Sequence, residues 1–367
     1  MGFFFKKTSG GKADLAVFEL KNHNLTIPCH YGEKVLSELK EYTAGRRCFL
    51  LCDAKVYRSV KLRLLGIRVE GKYLLDPVEE RKSFSTVEAV LERMAGCGLD
   101  RDSLLICMGG GTISDLGGFV AAVYLQGIDY VNVCTTPVAA CDAAIGGRTG
   151  VHLTNAKNWV GLQRHPKAIF CDYQTLRTLA PQDVMSGVGV VYKTALLNAE
   201  LHELTENHYE RLLRLETPML EQTLPLCAQI KWAYCGAKGE DGEGVLLKTR
   251  AGCVLGDAIF CSEEYGLRYG ESVLFGLYFE SLIFERATGS EYPHLSNMRE
   301  NVLNFLRYTP SLRVESRVYE LVCSSLACAH GQIQLMIPME DFSVKSFSLS
   351  KREFRRQLET LALEDKD

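Results

Sequence analysis

The chain has 367 residues, 47% hydrophobic and 24% charged, with 42 Lys and Arg against 45 Asp and Glu for a formal charge of −3. That is a globular composition, long enough for two domains with separate cores, and its charge points to neither nucleic acid nor a membrane surface as partner. No apolar run approaches the roughly 20 residues of a membrane span.

The opening MGFFFKKTSGG puts its phenylalanines before its lysines, the reverse of a secretion signal, and the apolar stretch is too short for one. Gly2 invites a lipidation reading, but Lys6 stands where Ser or Thr is required. Most of the fourteen cysteines sit inside apolar runs such as RRCFLLCD, LLICMGG and VNVCTTP, and no C-x-x-C pair occurs. They are expected to be small buried hydrophobes in a reducing, cytoplasmic protein.

In chain order, RRCFLLCD (46–53) predicts a buried strand ending at Asp53, and FSTVEAVLERMAGCG (84–98) an amphipathic helix closed by glycine. LLICMGGG is a strand running into a glycine turn, DLGGFVAAVYLQG a helix, DYVNVCTTP the next strand and AIFCD (168–172) another. Strand and helix alternating at this spacing predict parallel βαβ units and a doubly wound sheet.

Beyond residue 175 or so the pattern turns helical almost throughout, continuing through 219–238, 271–288 and 296–307 to a charged amphipathic helix at the end. His202 and His208 lie on one of these helices and are expected on its solvated face. The expected organisation is a Rossmann-like α/β nucleotide-binding domain, 1–177, and a mostly α-helical substrate domain, 178–367. A ligand is expected in the crevice between two such domains.

The turn itself, GGGTISDLGGF (109–119), matches a dinucleotide fingerprint only in part, because Ser114 stands where the third glycine belongs. A strand before it and a helix after it would let backbone amides face a pyrophosphate, and Asp115 in the first helical turn would suit the dipole. On this stretch alone, a bare strand-to-helix turn is equally open.

A longer window carries more. GGGTISDLGGF, then CTTPVAACDAAIGGRTGV (134–151), then AKNWVG (156–161) together resemble the 3-dehydroquinate synthase family of sugar-phosphate cyclases. DPVEERKSF, CDAKV and SGVGVVYK fall where that family has related segments. Asp142 followed by GGRT resembles the cyclases more than the metal-dependent glycerol dehydrogenase-like enzymes, which share the glycine turn.

The resemblance implies NAD across the strand ends of the first domain, contacted at Asp53, Glu79, Lys82, Gly110, Gly111, Asp115, Thr135, Thr136 and Lys157. It implies substrate or catalytic roles for Asp142, Arg148, Asn158, Lys193 and Arg250, the last replacing an asparagine. It also implies a homodimer and a zinc ion, and here the sequence departs. The three ligand positions hold Val190, Cys253 and Tyr269, and a phosphate-contacting histidine has become Asp257. Valine offers no donor, and Cys253 with Asp257 makes at most a pair, so zinc is not expected.

Two readings of different class follow. In one, an NAD-dependent enzyme of cyclase ancestry acts on a polyol or sugar-phosphate-like anion by zinc-independent chemistry, with Lys193 and Asp142 orienting or deprotonating the substrate and Arg148 or Arg250 holding its anionic group. In the other, the chain is a non-catalytic paralogue that binds a partner. A lyase of the ordinary family type, with a relocated metal, ranks behind both.

Overall fold

The computed structural model describes residues 15–22, 25–76, 79–153, 156–236, 245–262, 264–312, 316–325 and 327–364. They form two compact units, one drawn from Met1–Thr154, Asn158–Ala180 and Arg214–Trp232, the other from Asn155–Lys157, Pro181–Leu213 and Ala233–Asp367.

The first unit is built on β1 (Leu15–Lys21), β2 (Thr26–Gly32), β3 (Cys48–Asp53), β4 (Gly71–Leu75), β5 (Leu104–Gly109), β6 (Asp129–Cys134) and β9 (Ile169–Asp172), in the spatial order β1-β2-β9-β6-β5-β3-β4. Only β1 runs antiparallel, pairing with β2. The others are parallel neighbours, as the βαβ reading predicts. Strands covered on both faces read as continuous apolar runs rather than alternating ones, and LLICMG of β5 is buried throughout.

The two faces carry separate cores. Phe49, Leu51, Leu105 and Cys107 pack on one side with Val87, Val90 and Met94 of α3 (Phe84–Gly96) and Leu116 and Val120 of α4 (Gly111–Val123). Leu50, Cys52, Ile106 and Met108 pack on the other with Leu39 of α1 (Leu39–Thr43) and Val60 of α2 (Ala54–Val60). None of the fourteen cysteines forms a disulfide, and Cys48, Cys52 and Cys107 sit in these cores as hydrophobes. A two-stranded sheet, β7 (Arg148–Leu153) with β8 (Ala156–Gln163), was not foreseen from the sequence.

The sheet's order creates its functional edge. From β3 the chain moves outward to β4, then returns to the other side of β3 and continues through β5, β6 and β9. The direction reverses between β3 and β5, which makes the crevice beyond their C-terminal ends the favoured ligand position in an open α/β sheet.

After α5 (Tyr173–Leu176) come α6 (Pro181–Ala195), α7 (Ala199–Leu213) and α8 (Thr217–Gly236). Then follow α9 (Cys253–Ser262), α10 (Tyr269–Thr288), α11 (Pro293–Leu306), α12 (Ser316–Cys323) and α13 (Lys351–Glu364). The second unit is mostly helical but also contains an antiparallel sheet of β10 (Cys328–Ala329), β11 (Gln332–Pro338) and β12 (Val344–Ser350), which the helical reading of this half did not anticipate.

Its central helices approach closely through glycine. A Cβ on Gly276 of α10 would overlap the Gly252 carbonyl oxygen ahead of α9, and one on Gly270 would overlap the Ser186 carbonyl oxygen of α6. The Gly270 N–H donates to Ser186 Oγ at 2.9 Å across the same crossing. No helix among the described residues is long and apolar enough to cross a membrane.

Candidate functional site

At the switch point, β3 ends in Asp53 and β5 in Gly109, each one step past the aligned pair Cys52 and Met108. Asp53 caps α2, its Oδ1 accepting from the Lys55 N–H at 2.7 Å and the Val56 N–H at 3.3 Å. Burial pushes this carboxyl up from its ordinary range, against those two amides.

Gly110 is the N-cap of α4 and carries no side-chain cap. A Cβ there would stand 3.2 Å from the Thr136 methyl, and one on Gly111 would stand 3.1 Å from the Ala143 Cβ. Glycine therefore lets the backbone at the start of the helix lie close to its neighbours.

Asp115 lies past the first turn, because α4 begins at Gly111. The expected dipole role gives way to an ion pair: Lys82 Nζ contacts Asp115 Oδ2 at 2.6 Å, with the Lys82 side chain only 3% exposed. Glu79 lies in a short 3-10 turn with Arg81. The side chains of Glu79 and Lys157 fall outside the described residues.

From the end of β6, the Thr135 N–H donates to the Gly109 carbonyl at 3.0 Å. Thr135 is buried, and its Oγ1 has no hydrogen-bond partner among the described residues. Thr136 walls Gly110 and also caps the following turn, its Oγ1 accepting from the Ala139 N–H at 3.1 Å. That turn, Ala139–Ala143, is π-helical and presents Asp142.

Asp142 pairs with Lys231 of α8, and both are buried. Lys231 was missed by sequence reasoning, since nothing distinguishes one lysine in QIKWAY until the fold brings it to a carboxylate. Arg148 is exposed at the start of β7. Asn158 is exposed on β8 with φ 55°, and its N–H donates to His152 Nδ1 at 2.9 Å, which gives His152 a capping contact.

In the second unit, α6 carries Val190, wholly buried, and Lys193, also buried. Cys253 opens α9, and its Sγ lies 4.0 Å from the Tyr269 hydroxyl at the start of α10. Arg250 is not an uncommitted cation for a substrate anion, because it pairs with Asp257 at 3.0 Å. The same pair removes Asp257 as a companion to Cys253. His202 is not simply solvated either, for its ring packs against Phe342 and Tyr192.

Glu280, another residue the sequence concealed, lies inside α10. Its Oε1 accepts from the Leu255 N–H at 2.8 Å and its Oε2 from the Gly252 N–H at 3.2 Å, so it caps α9 from a neighbouring helix. Complete burial pushes the carboxyl up to about 8, although three backbone amides oppose the shift.

These residues fit a dinucleotide at the sheet edge. The fit rests on close-approach glycines at the start of α4, at the switch point, and on a buried threonine hydroxyl with no partner among the described residues. They do not fit the zinc site that the resemblance implies. One thiol, one phenol and a valine are no tetrahedral donor set, and among the described residues no three of His, Cys, Asp and Glu are grouped to hold a metal.

The family model for the N-terminal region of 3-dehydroquinate synthase matches residues 72–186. The 3-dehydroquinate synthase of Alkaliphilus metalliredigens is 32% identical over 260 residues, covering 69% of this chain and 73% of that one. That of Dictyoglomus thermophilum is 29% identical over 327 residues, covering 88% and 91%. Among solved structures, 2-epi-5-epi-valiolone synthase from Streptomyces hygroscopicus with NAD+ and Zn2+ superposes with a TM-score of 0.81 at 21% identity, covering 94% of this chain and 99% of that one. A 2-deoxy-scyllo-inosose synthase complexed with carbaglucose-6-phosphate, NAD+ and Co2+ gives 0.78 at 20% identity, with the same coverage.

Proposed function

The chain belongs to the 3-dehydroquinate synthase family of sugar-phosphate cyclases, and from that premise we propose that it binds NAD at the ends of β3, β5 and β6 and acts on a polyol or sugar-phosphate-like anion without zinc. The observation that carries this reading is the convergence on one sheet edge of Asp53, the glycine-built start of α4 at Gly110 and the Thr135 hydroxyl, which has no partner among the described residues.

Asp53 would accept from ribose hydroxyls, the amides after Gly110 would face the pyrophosphate, and Lys82, already neutralised by Asp115, would hold that carboxylate in place. Bound there, NAD would supply a hydride acceptor. Lys193 and Asp142 would orient the substrate hydroxyls and move their protons. Of the two arginines, the exposed Arg148 is the better candidate for an anionic group, since Arg250 is paired. The reading extends to a homodimer.

A second reading, a non-catalytic paralogue, is favoured by a different observation. Val190 is fully buried in apolar packing at a position where the resemblance requires a ligand. Calorimetric titration with NAD, alongside Gly110→Val, tests the first reading. Saturable binding lost in the variant supports a working cofactor site and opens a screen of polyols and sugar phosphates for hydride transfer. No binding by the native chain leaves the partner-protein reading. Metal-dependent phosphate release from a heptulosonate phosphate would instead mean an ordinary family lyase.

A further inference from the structure

The first unit carries a feature that the sheet-edge site does not use. Residues 54–72, AKVYRSVKLRLLGIRVEGK, hold six cations, Lys55, Arg58, Lys61, Arg63, Arg68 and Lys72, against the single carboxylate of Glu70, in a chain whose formal charge is −3. Glu70 itself faces Arg68 at 3.7 Å. A further ammonium, that of Lys40, reaches over Gly66, where an added Cβ would meet it at 3.1 Å. Within this basic surface, Leu62 and Leu65 are 72% and 69% exposed.

Beside them opens a cavity of about 190 Å3. Leu39, Leu50 and Ile106, all buried, belong to its lining, whereas Lys61, Leu65 and Lys72 are lining residues that reach solvent. Tyr57 also lines it, and the Lys72 ammonium donates to the Tyr57 hydroxyl at 3.0 Å while lying 4.9 Å from that ring's centroid. Among the described residues, no carboxylate lines the cavity. An apolar pocket with two ammonium groups and a phenol at its open side suits a ligand with one apolar tail and one anionic head.

We propose that this cavity binds an amphipathic monoanion, a carboxylate on a single unbranched hydrocarbon chain. The tail packs against Leu39, Leu50 and Ile106, and the head meets Lys61, Lys72 and the Tyr57 hydroxyl. Neither the bare cation count nor the exposed leucines alone selects this class. Their coincidence with an apolar-floored cavity does, because a soluble polyanion has no use for the apolar floor and a neutral lipid none for the lysines.

The test is calorimetric titration of the full chain with decanoate, and with decanol as the neutral tail. Decanoate is expected to saturate at one site, with affinity about tenfold weaker in the exposed double variant Lys61→Glu/Lys72→Glu. Ile67→Trp, which fills the cavity from its lining, is expected to abolish binding while the thermal midpoint stays near that of the native chain. Equal binding of decanol and decanoate, or binding indifferent to both variants, overturns the proposal. So does co-sedimentation with phosphatidylglycerol vesicles in the absence of any decanoate binding, which would make the patch a membrane contact. NAD titration of the same variants stays unchanged if the cavity is separate from the sheet-edge site, so failure here and failure there are distinguishable.

Discussion

The Lys82 ammonium and the Asp115 carboxylate are paired at 2.6 Å, the lysine almost sealed from water and the aspartate about a fifth exposed. Removing Asp115 takes a counter-charge from a buried ammonium. Asp115→Asn is therefore expected to destabilise the fold by about 3 kcal/mol, more than an exposed pair would. Lys82→Met should cost less, because Asp115 retains solvent contact. Denaturant titration of both variants checks the order, and equal costs would mean that the pair is worth no more than its packing.

Thr135 offers a sharper separation of stability from binding. Its buried hydroxyl has no partner, so Thr135→Val removes an unsatisfied polar group and should leave the apo protein as stable as before or slightly more so. If that hydroxyl waits for a nucleotide, NAD affinity falls about fivefold, near 1 kcal/mol, in the same variant. A loss of stability without a change in affinity would assign the hydroxyl to folding.

Glu280 sets a pH dependence. Its carboxyl titrates at about 8 in the folded chain against an ordinary value of 4.5, so the native state keeps a proton that the unfolded state releases. Stability contributed by this group is then full below about pH 4.5 and declines as pH rises toward about 8, by at most about 1.4 kcal/mol per pH unit. Glu280→Gln should flatten that decline. Urea midpoints measured at several pH values would show it, and parallel slopes in variant and native chain would place the titration elsewhere.

The glycine crossing of α9 and α10 leaves no room for a methyl group. Gly276→Ala forces its Cβ into the Gly252 carbonyl oxygen, and backbone cannot yield as a flexible side chain can. A loss of about 3 kcal/mol or outright misfolding is expected. Gly289→Ala serves as the control, where an added Cβ meets nothing within 4 Å and only its φ of 65° costs.

The missing donors can be put back. Val190→Glu alone buries an unpaired carboxylate and should destabilise the second unit. Combined with Cys253→His and Tyr269→His it should recover stability on adding Co2+, with a visible d–d absorption that the native chain does not develop. If Co2+ fails to restore the triple variant, positions 190, 253 and 269 do not converge as a tetrahedral metal site.

Much of this was legible in the residues. RRCFLLCD and LLICMG read as buried strands because both faces are covered, and the glycines after the second marked the turn. Gly110, Thr135 and Thr136 fell together because adjacent parallel strands end at one edge. What stayed hidden depended on partners far away in sequence. Lys231 and Glu280 look like ordinary residues of apolar helices until the fold sets them against Asp142 and the first amides of α9. QIQLMIP lost its alternation in the helical context around it, and so β11 went unread. Arg250 looked available because its partner, Asp257, was weighed only as a metal ligand.

The chain's path has one more consequence, for the order in which the protein comes into being. Residues 214–232 belong with the first unit, although a stretch of the second unit precedes them, and Lys231 lies near their end. A nascent chain that has emerged only as far as α7 holds the whole parallel sheet but lacks the Lys231 ammonium that pairs with Asp142. The first unit therefore completes its packing only when a helix translated some fifty residues after its last strand has joined it.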